Sequence, residues 1–218
     1  MNDRTKKLSR NMRTVLIYFL LILIAFKLFA PGGYLNRKSI DDVKVIHIQP
    51  LGKVKKSNLQ TIKSSIESFY GIRCVIKPSV GIKEGLLIDD EGAYDAIKIM
   101  SKYDDEERVV FVTEKRISKK SLGEGVGLNG VARYWGDKMV VSTFHMRRFY
   151  GNSKSFRDDL TNTALHEVGH TFGLDHCNAK RCVMFTSDTY HAPVDARKLT
   201  LCNNCFTKVG MEKLPKVK

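Results

Sequence analysis

The sequence predicts an α/β domain built on a mixed, mostly parallel β-sheet, with one long helix carrying the chemistry and a small metal-bound C-terminal subdomain. Three observations predict it. Short β-branched runs alternate with runs whose apolar residues recur at helical spacing. The resulting strand–helix–strand–helix–strand order implies parallel strands joined by right-handed crossovers. Finally, "HEVGHTFGLDHC", His166 to Cys177, gathers three histidines, a glutamate and a cysteine within twelve residues, and more cysteines follow in pairs.

The chain of 218 residues is long enough for one domain with appendages, and 43% apolar residues exclude wholesale disorder. The first thirteen residues carry Arg4, Lys6, Lys7, Arg10 and Arg13 against one acid, Asp3. Next comes "TVLIYFLLILIAFKLFA", Thr14 to Ala30, uncharged from Val15 to Phe26 and interrupted by Lys27. Seventeen residues is the short end of a spanning helix, and a lysine near its end can snorkel to the interface. A cleaved signal peptide needs small residues at −3 and −1 of the cut; Leu28 and Ala30, followed by Pro31, fit poorly. The expectation is therefore a basic cytoplasmic tail (1–13) and an uncleaved single-pass membrane anchor (14–30). A linker (31–40) broken by Pro31, Gly32 and Gly33 follows, then an extracytoplasmic domain (41–218).

The net charge of +14 raises a nucleic-acid surface as an alternative. The charge is spread, however, over the basic tail, the end of the chain (Lys213, Lys216, Lys218) and scattered lysines between. Solvated lysine plus a topology signal accounts for it, and a nucleic-acid partner is not expected.

Within the domain, "VKVIHIQ" from Val43 reads as a strand. Leu59, Ile62, Ile66 and Phe69 predict a helix over Ser57 to Tyr70. "IRCVIK" from Ile72 is a second strand, in which Cys74 reads as a buried thiol. Ala93, Ile97 and Met100 predict a helix around Glu91 to Tyr103, and "RVVFV" from Arg108 is a fully buried third strand. After a polar, glycine-rich segment, "VARYW" and "KMVVS" flank "GD" and predict a hairpin or edge strand. Its outer edge near Gly130 to Tyr134 suits an extended peptide added as a further strand. A helix then begins near Ser155, whose hydroxyl is the expected N-cap, with Asp158 three residues on.

That helix carries His166 and His170, four residues apart and so on one face, close enough to share a metal. Glu167 points to the side of that face and can reach a metal-bound water without being a ligand. Gly173 can take a left-handed conformation, end the helix and let the chain bring back His176 as a third ligand. Three neutral histidines leave one zinc position open for water, as in a catalytic rather than a closed structural site. Zinc lowers the pKa of that water to about 7, and Glu167 is the candidate general base and acid. Cys177, Cys182, Cys202 and Cys205 form C-x4-C and C-x2-C pairs. Such spacing suits a second, structural zinc held by four thiolates; two disulfides are the alternative in an exported domain.

Taken together, "HEVGHTFGLDHC", "NAKR", "CVM" and "CNNC" resemble the archaemetzincin signature over His166 to Cys205. The resemblance implies a metzincin-like fold and zinc-dependent hydrolysis of peptide or protein substrates. His166, His170 and His176 would hold the catalytic zinc, with Glu167 as base, and the four cysteines a second zinc. Met184 would be the Met-turn methionine beneath the catalytic zinc; packing alone marks it only as a core residue. A catalytically silent zinc module at the membrane is the competing function.

Overall fold

The computed structural model describes residues 40–88, 92–103, 108–119, 127–186 and 195–209. The expected tail and anchor lie outside the described residues, as does the linker up to residue 39. Among the described residues no helix is long and apolar enough to cross a membrane.

In chain order the elements are β1 (Val45–Leu51), α1 (Lys56–Tyr70), β2 (Arg73–Ile76), β3 (Leu87–Ile88), β4 (Ala93–Asp95), α2 (Ala96–Lys102), β5 (Val109–Thr113), β6 (Ile117–Ser118), β7 (Gly130–Ala132), β8 (Lys138–Ser142), α3 (Phe144–Tyr150), α4 (Lys154–Thr171) and α5 (Asn203–Val209). β5 explains the rest. Its sequence, VVFVT, is buried throughout, so both faces need cover and both edges need partners. β1 pairs parallel on one edge and β8 parallel on the other. β2 extends the sheet parallel to β1, and β7 closes the far edge antiparallel to β8. The order is β2-β1-β5-β8-β7, the mostly parallel sheet that the sequence predicts.

The strand period of two sorts the side chains to two faces. Ile46, Ile48, Val110, Val112, Met139 and Val141 enter the larger core, beneath α1 and α4. Leu51, Val109, Phe111 and Val140 meet α2 residues Ala96, Ile99 and Met100 on the other face. α1 contributes Leu59, Ile62, Ile66 and Tyr70 at helical spacing. Tyr70 also donates its hydroxyl to the Leu165 carbonyl at 2.7 Å, tying α1 to the helix that carries the histidines.

Two expectations are corrected. The helix expected around Glu91 to Tyr103 begins only at Ala96. Asp95 caps it by accepting from the Ile97 and Lys98 N–H groups at 2.9 and 3.1 Å. Ala93 and Tyr94 are instead strand residues of a second, small sheet of order β3-β4-β6. The cap of α4 is Ser153 rather than Ser155, its hydroxyl accepting from the Phe156 N–H at 3.3 Å. Asp158 serves no capping box; it pairs with Lys154 and accepts from the Ala196 N–H at 3.4 Å.

The end of α4 follows the sequence expectation. Gly173 has φ +77°, and its N–H donates to the His170 carbonyl at 2.9 Å while the Leu174 N–H donates to Gly169 at 3.1 Å. A Cβ at Gly173 would stand 1.9 Å from the Trp135 indole, whereas one at Gly52 (φ +71°) would meet nothing within 4 Å. Gly52→Ala should therefore cost only the left-handed strain, about 1 kcal/mol. Gly173→Ala should cost that plus displacement of the ring, about 2 kcal/mol or more, or roughly 4–8 °C in Tm for a domain of this size. Thermal melts of both variants test this; equal losses would refute the packing argument.

Candidate metal centre

The geometry of α4 brings the three histidines together. Ring centroids are 4.6 Å apart for His166 and His170, 4.8 Å for His170 and His176, and 5.1 Å for His166 and His176. The Nε2 atoms of His170 and His176 are 3.1 Å apart. Two nitrogens bound to one tetrahedral zinc at 2.0–2.1 Å stand about 3.3 Å apart, so the spacing fits a shared ion.

The other ring nitrogens are held by the backbone. His166 Nδ1 lies 2.9 Å from the Val183 carbonyl and His170 Nδ1 lies 2.8 Å from that of Leu174. A carbonyl only accepts, so each Nδ1 carries the proton and each Nε2 keeps its lone pair for a metal. Burial, reinforced by neighbouring His170, holds His166 down to about 4, and burial also lowers His170. Neutral imidazole is the form that binds a metal.

Glu167 follows His166 and is buried. Burial pushes its carboxyl up to about 8. Its side chain packs on the edge strand: a Cβ at Gly130 would stand 2.6 Å from both Glu167 Cγ and Oε1. Met184 is fully buried, and a Cβ at Gly169 would stand 2.4 Å from its Sδ. The methionine therefore sits directly under the turn of α4 that carries His170.

The four cysteines converge as a second group. The Sγ atoms of Cys177, Cys182, Cys202 and Cys205 lie within 4.8 Å of one another, as the ligand nitrogens of the three histidines do. Sulfurs on one zinc at about 2.3 Å stand about 3.8 Å apart. All are free thiols, so the disulfide alternative is not what the fold displays. Burial pushes the Cys182 thiol up to about 11 and raises Cys205, while the Cys205 N–H lowers Cys202. A dication at the centre of such a cluster offsets the cost of thiolates in a half-buried place. Cys74 stands apart, buried in β2, as its sequence context suggests.

Several residues that shape the site escape sequence reasoning. The turn of the β7–β8 hairpin reaches across to the end of α4. The Trp135 N–H donates to the His170 carbonyl at 3.1 Å, and the Tyr134 hydroxyl donates to the Gly173 carbonyl at 2.8 Å. Trp135 takes φ 55°, the one positive φ outside glycine among the described residues. A bond from Tyr134, then Lys208, holds Asp175 beside His176 below the usual carboxylate range. The available signal was a lone tryptophan directly before the glycine of a hairpin turn, a position that sequence alone ties to no helix.

Comparison with known proteins agrees with this geometry. The profile of peptidase family M54 matches residues 91–211. The archaemetzincin of Methanocaldococcus jannaschii is 30% identical over 169 residues, covering 75% of this chain and 92% of the relative. That of Haloquadratum walsbyi is 26% identical over 171 residues, covering 74% and 96%. The crystal structure of archaemetzincin from Archaeoglobus fulgidus, complexed with malonate, shares the fold. Its TM-score is 0.63 at 24% identity, covering 75% of this chain and 99% of that one. The conclusion is that the chain belongs to peptidase family M54, the archaemetzincins, and is a zinc metallopeptidase.

Proposed function

We propose that the protein hydrolyses peptide bonds at a zinc held by His166, His170 and His176, with Glu167 as general base and acid and a second, structural zinc on the four cysteines. The observation that carries this reading is the convergence of three imidazoles, two of them held by backbone carbonyls in the metal-binding tautomer, beside the buried carboxyl of Glu167. Zinc at that place supplies a Lewis acid that acidifies water and polarises a scissile carbonyl.

The residues of the chain supply the rest. Glu167 accepts a proton from the attacking water and returns one to the leaving amine. The Val183 and Leu174 carbonyls hold His166 and His170 in the metal-binding tautomer. Met184 supports α4 from below. The outer edge of β7, at the end of the sheet, offers backbone groups to an extended substrate, with Gly130 leaving room for Glu167. The segment 14–30 serves in this reading as a membrane anchor, with the catalytic domain outside the cytoplasm.

Three outcomes follow. Protein purified under reducing conditions should contain about two zincs per chain by elemental analysis. Val183 lies between the two groups: it directly follows Cys182, its N–H donates to the Thr200 carbonyl, and its carbonyl meets His166 Nδ1. The double substitution Cys202→Ser, Cys205→Ser should thus remove one zinc and weaken retention of the other. A parent value near one, with the four cysteines oxidised, would overturn the structural site.

Glu167→Ala should keep both metals and the melting temperature within a few degrees. Turnover should fall by about 10²–10⁴, the usual worth of general acid–base help. His170→Ala should also lose the catalytic zinc. Full activity in Glu167→Ala refutes the mechanism. A parent that holds two zincs yet cleaves nothing in a broad peptide library favours the silent module.

Protease added to intact cells should digest the domain from the outside. Digestion only after lysis, or a mature chain starting near Pro31, overturns the anchor.

A further inference from the structure

The hairpin that carries Gly130 is tied to α4 at both ends. At its turn the Trp135 N–H donates to the His170 carbonyl. At its start the Asn129 carbonyl accepts from the Ser142 N–H at 2.8 Å, and the Asn129 side chain reaches the helix. There Nδ2 donates to Asp159 Oδ2 at 3.3 Å. Asp159, Thr163 and Glu167 recur every four residues and so lie along one row of α4. That row packs on the start of the strand: a Cβ at Gly130 would stand 2.8 Å from Thr163 Cγ2 and 2.6 Å from Glu167 Oε1. The approach of Glu167 to Gly130 thus lies between two polar ties.

The tie at Asn129 is incomplete if Asp159 is ionised. Asn129 Oδ1 is buried and has no hydrogen-bond partner among the described residues. An ionised carboxyl only accepts, so it cannot serve that oxygen; a neutral carboxyl carries one O–H and can. The surroundings favour the neutral form. The charged groups on the elements packed against α4 are engaged elsewhere. Lys63 of α1 pairs with Glu67, Arg147 of α3 with Glu114, Lys154 of α4 with Asp158, and Arg197 with Asp195. Lys138 of β8 donates to the Tyr103 carbonyl, and His145 of α3 is acted on by Arg116 and Arg148. Burial alone pushes the Asp159 carboxyl up to about 6. The folded value lies above the ordinary one, so what the neutral form contributes is full at low pH and is lost as pH rises through about 6.

We propose that Asp159 is a positioning residue. As a neutral carboxyl it accepts from Asn129 Nδ2 and donates its own proton to Asn129 Oδ1, and this two-bond pair holds Gly130 against Glu167. Its part in turnover rests on the peptidase reading above; the pair itself does not.

Asp159→Asn separates the two forms, because an amide at 159 presents an acceptor and a donor at every pH. The zinc-loaded full chain is compared with Asp159→Asn, Asp159→Ala and Asn129→Ala at about pH 5 and about pH 8, on either side of the titration. Wild type and Asp159→Asn should melt together at the lower pH, and Asp159→Asn should melt higher by about 4 °C or more at the upper. Both alanine variants should melt below wild type at the lower pH. Hydrogen exchange over residues 127–135, read at the lower pH, should rise about tenfold in either alanine variant and stay at the wild-type level in Asp159→Asn. In Asp159→Ala kcat should fall about tenfold with both zincs retained, and Asp159→Asn should restore it. If Asp159→Ala does not fold, Asn129→Ala carries the same comparisons. An Asp159→Asn variant that melts below wild type by one margin at both pH values, or fails to fold, overturns the neutral pair. Exchange in the alanine variants that stays unchanged over 127–135, or rises equally across the domain, overturns the positioning role, as does a wild-type kcat. If no protein cleaves any peptide while melting and exchange behave as stated, the pair stands as the anchor of β7 and the peptidase reading alone falls.

Discussion

The constraint on which the rest of the structure depends is the reversal of the chain after His170. Two histidines on one helical turn are fixed by helix geometry alone; a third nitrogen facing them is not. The helix must stop within one turn, and the chain must come back over its own end. Gly173 supplies the left-handed residue, but a left-handed residue only permits the turn. What holds it is a set of groups from elsewhere: the Trp135 N–H on the His170 carbonyl, the indole filling the space where a side chain would stand, and the Tyr134 hydroxyl on the Gly173 carbonyl. The carbonyls that a helix leaves unsatisfied at its C-terminus are here met by a hairpin turn on the edge of the sheet. The strain of Trp135 at φ 55° is the local cost of that contact.

The cysteine cluster solves the same problem from the other side. Among the described residues between His176 and Cys202, single backbone bonds tie the chain together: Cys177 to Met184, Val183 to Thr200, Thr200 to Arg181. Few residues there are apolar enough to build a core of their own. Four thiols drawn from two ends of that segment converge, and between them lies Val183, whose carbonyl fixes the tautomer of His166. A metal on those thiols would stiffen the strip of backbone on which a ligand of the first site leans. This gives a physical reason for a cysteine directly after the last histidine: the two ligand groups share one short loop.

The parts legible in sequence were those governed by local periodicity or by ligand spacing. Buried strands such as β5, the α1 stripe of Leu59, Ile62 and Ile66, and the helix with His166, Glu167 and His170 each declare themselves within a dozen residues. The misread parts were decided by competition between neighbours. Ala93 and Tyr94 fit a helical pattern with Ile97 and Met100, but they are drawn into a small sheet whose other strands are only two residues long, and Asp95 caps a helix that starts at Ala96 rather than near Glu91. Ser153 and Ser155 are both acceptable caps, and the choice fell to the one whose hydroxyl reaches the Phe156 N–H. Gly130, Tyr134 and Trp135 were placed on a hairpin correctly, yet their partners on α4 lie more than thirty residues away, where no local pattern reaches.

The hairpin therefore joins three tasks in one short element. β7 closes the sheet on β8, so its outer edge is left for another strand. Gly130, bare of a side chain, lets Glu167 approach that edge. The following turn clamps the end of α4 and, through it, the loop bearing His176. A substitution that shifts β7 along β8 by one residue would reverse which side chains face the core. The same shift would move Gly130 away from Glu167 and Trp135 away from Gly173 together. Register of this one strand pair, Gly130 against Val141 and Ala132 against Met139, thus fixes the β7 edge, Glu167 and the loop bearing His176 as a single unit.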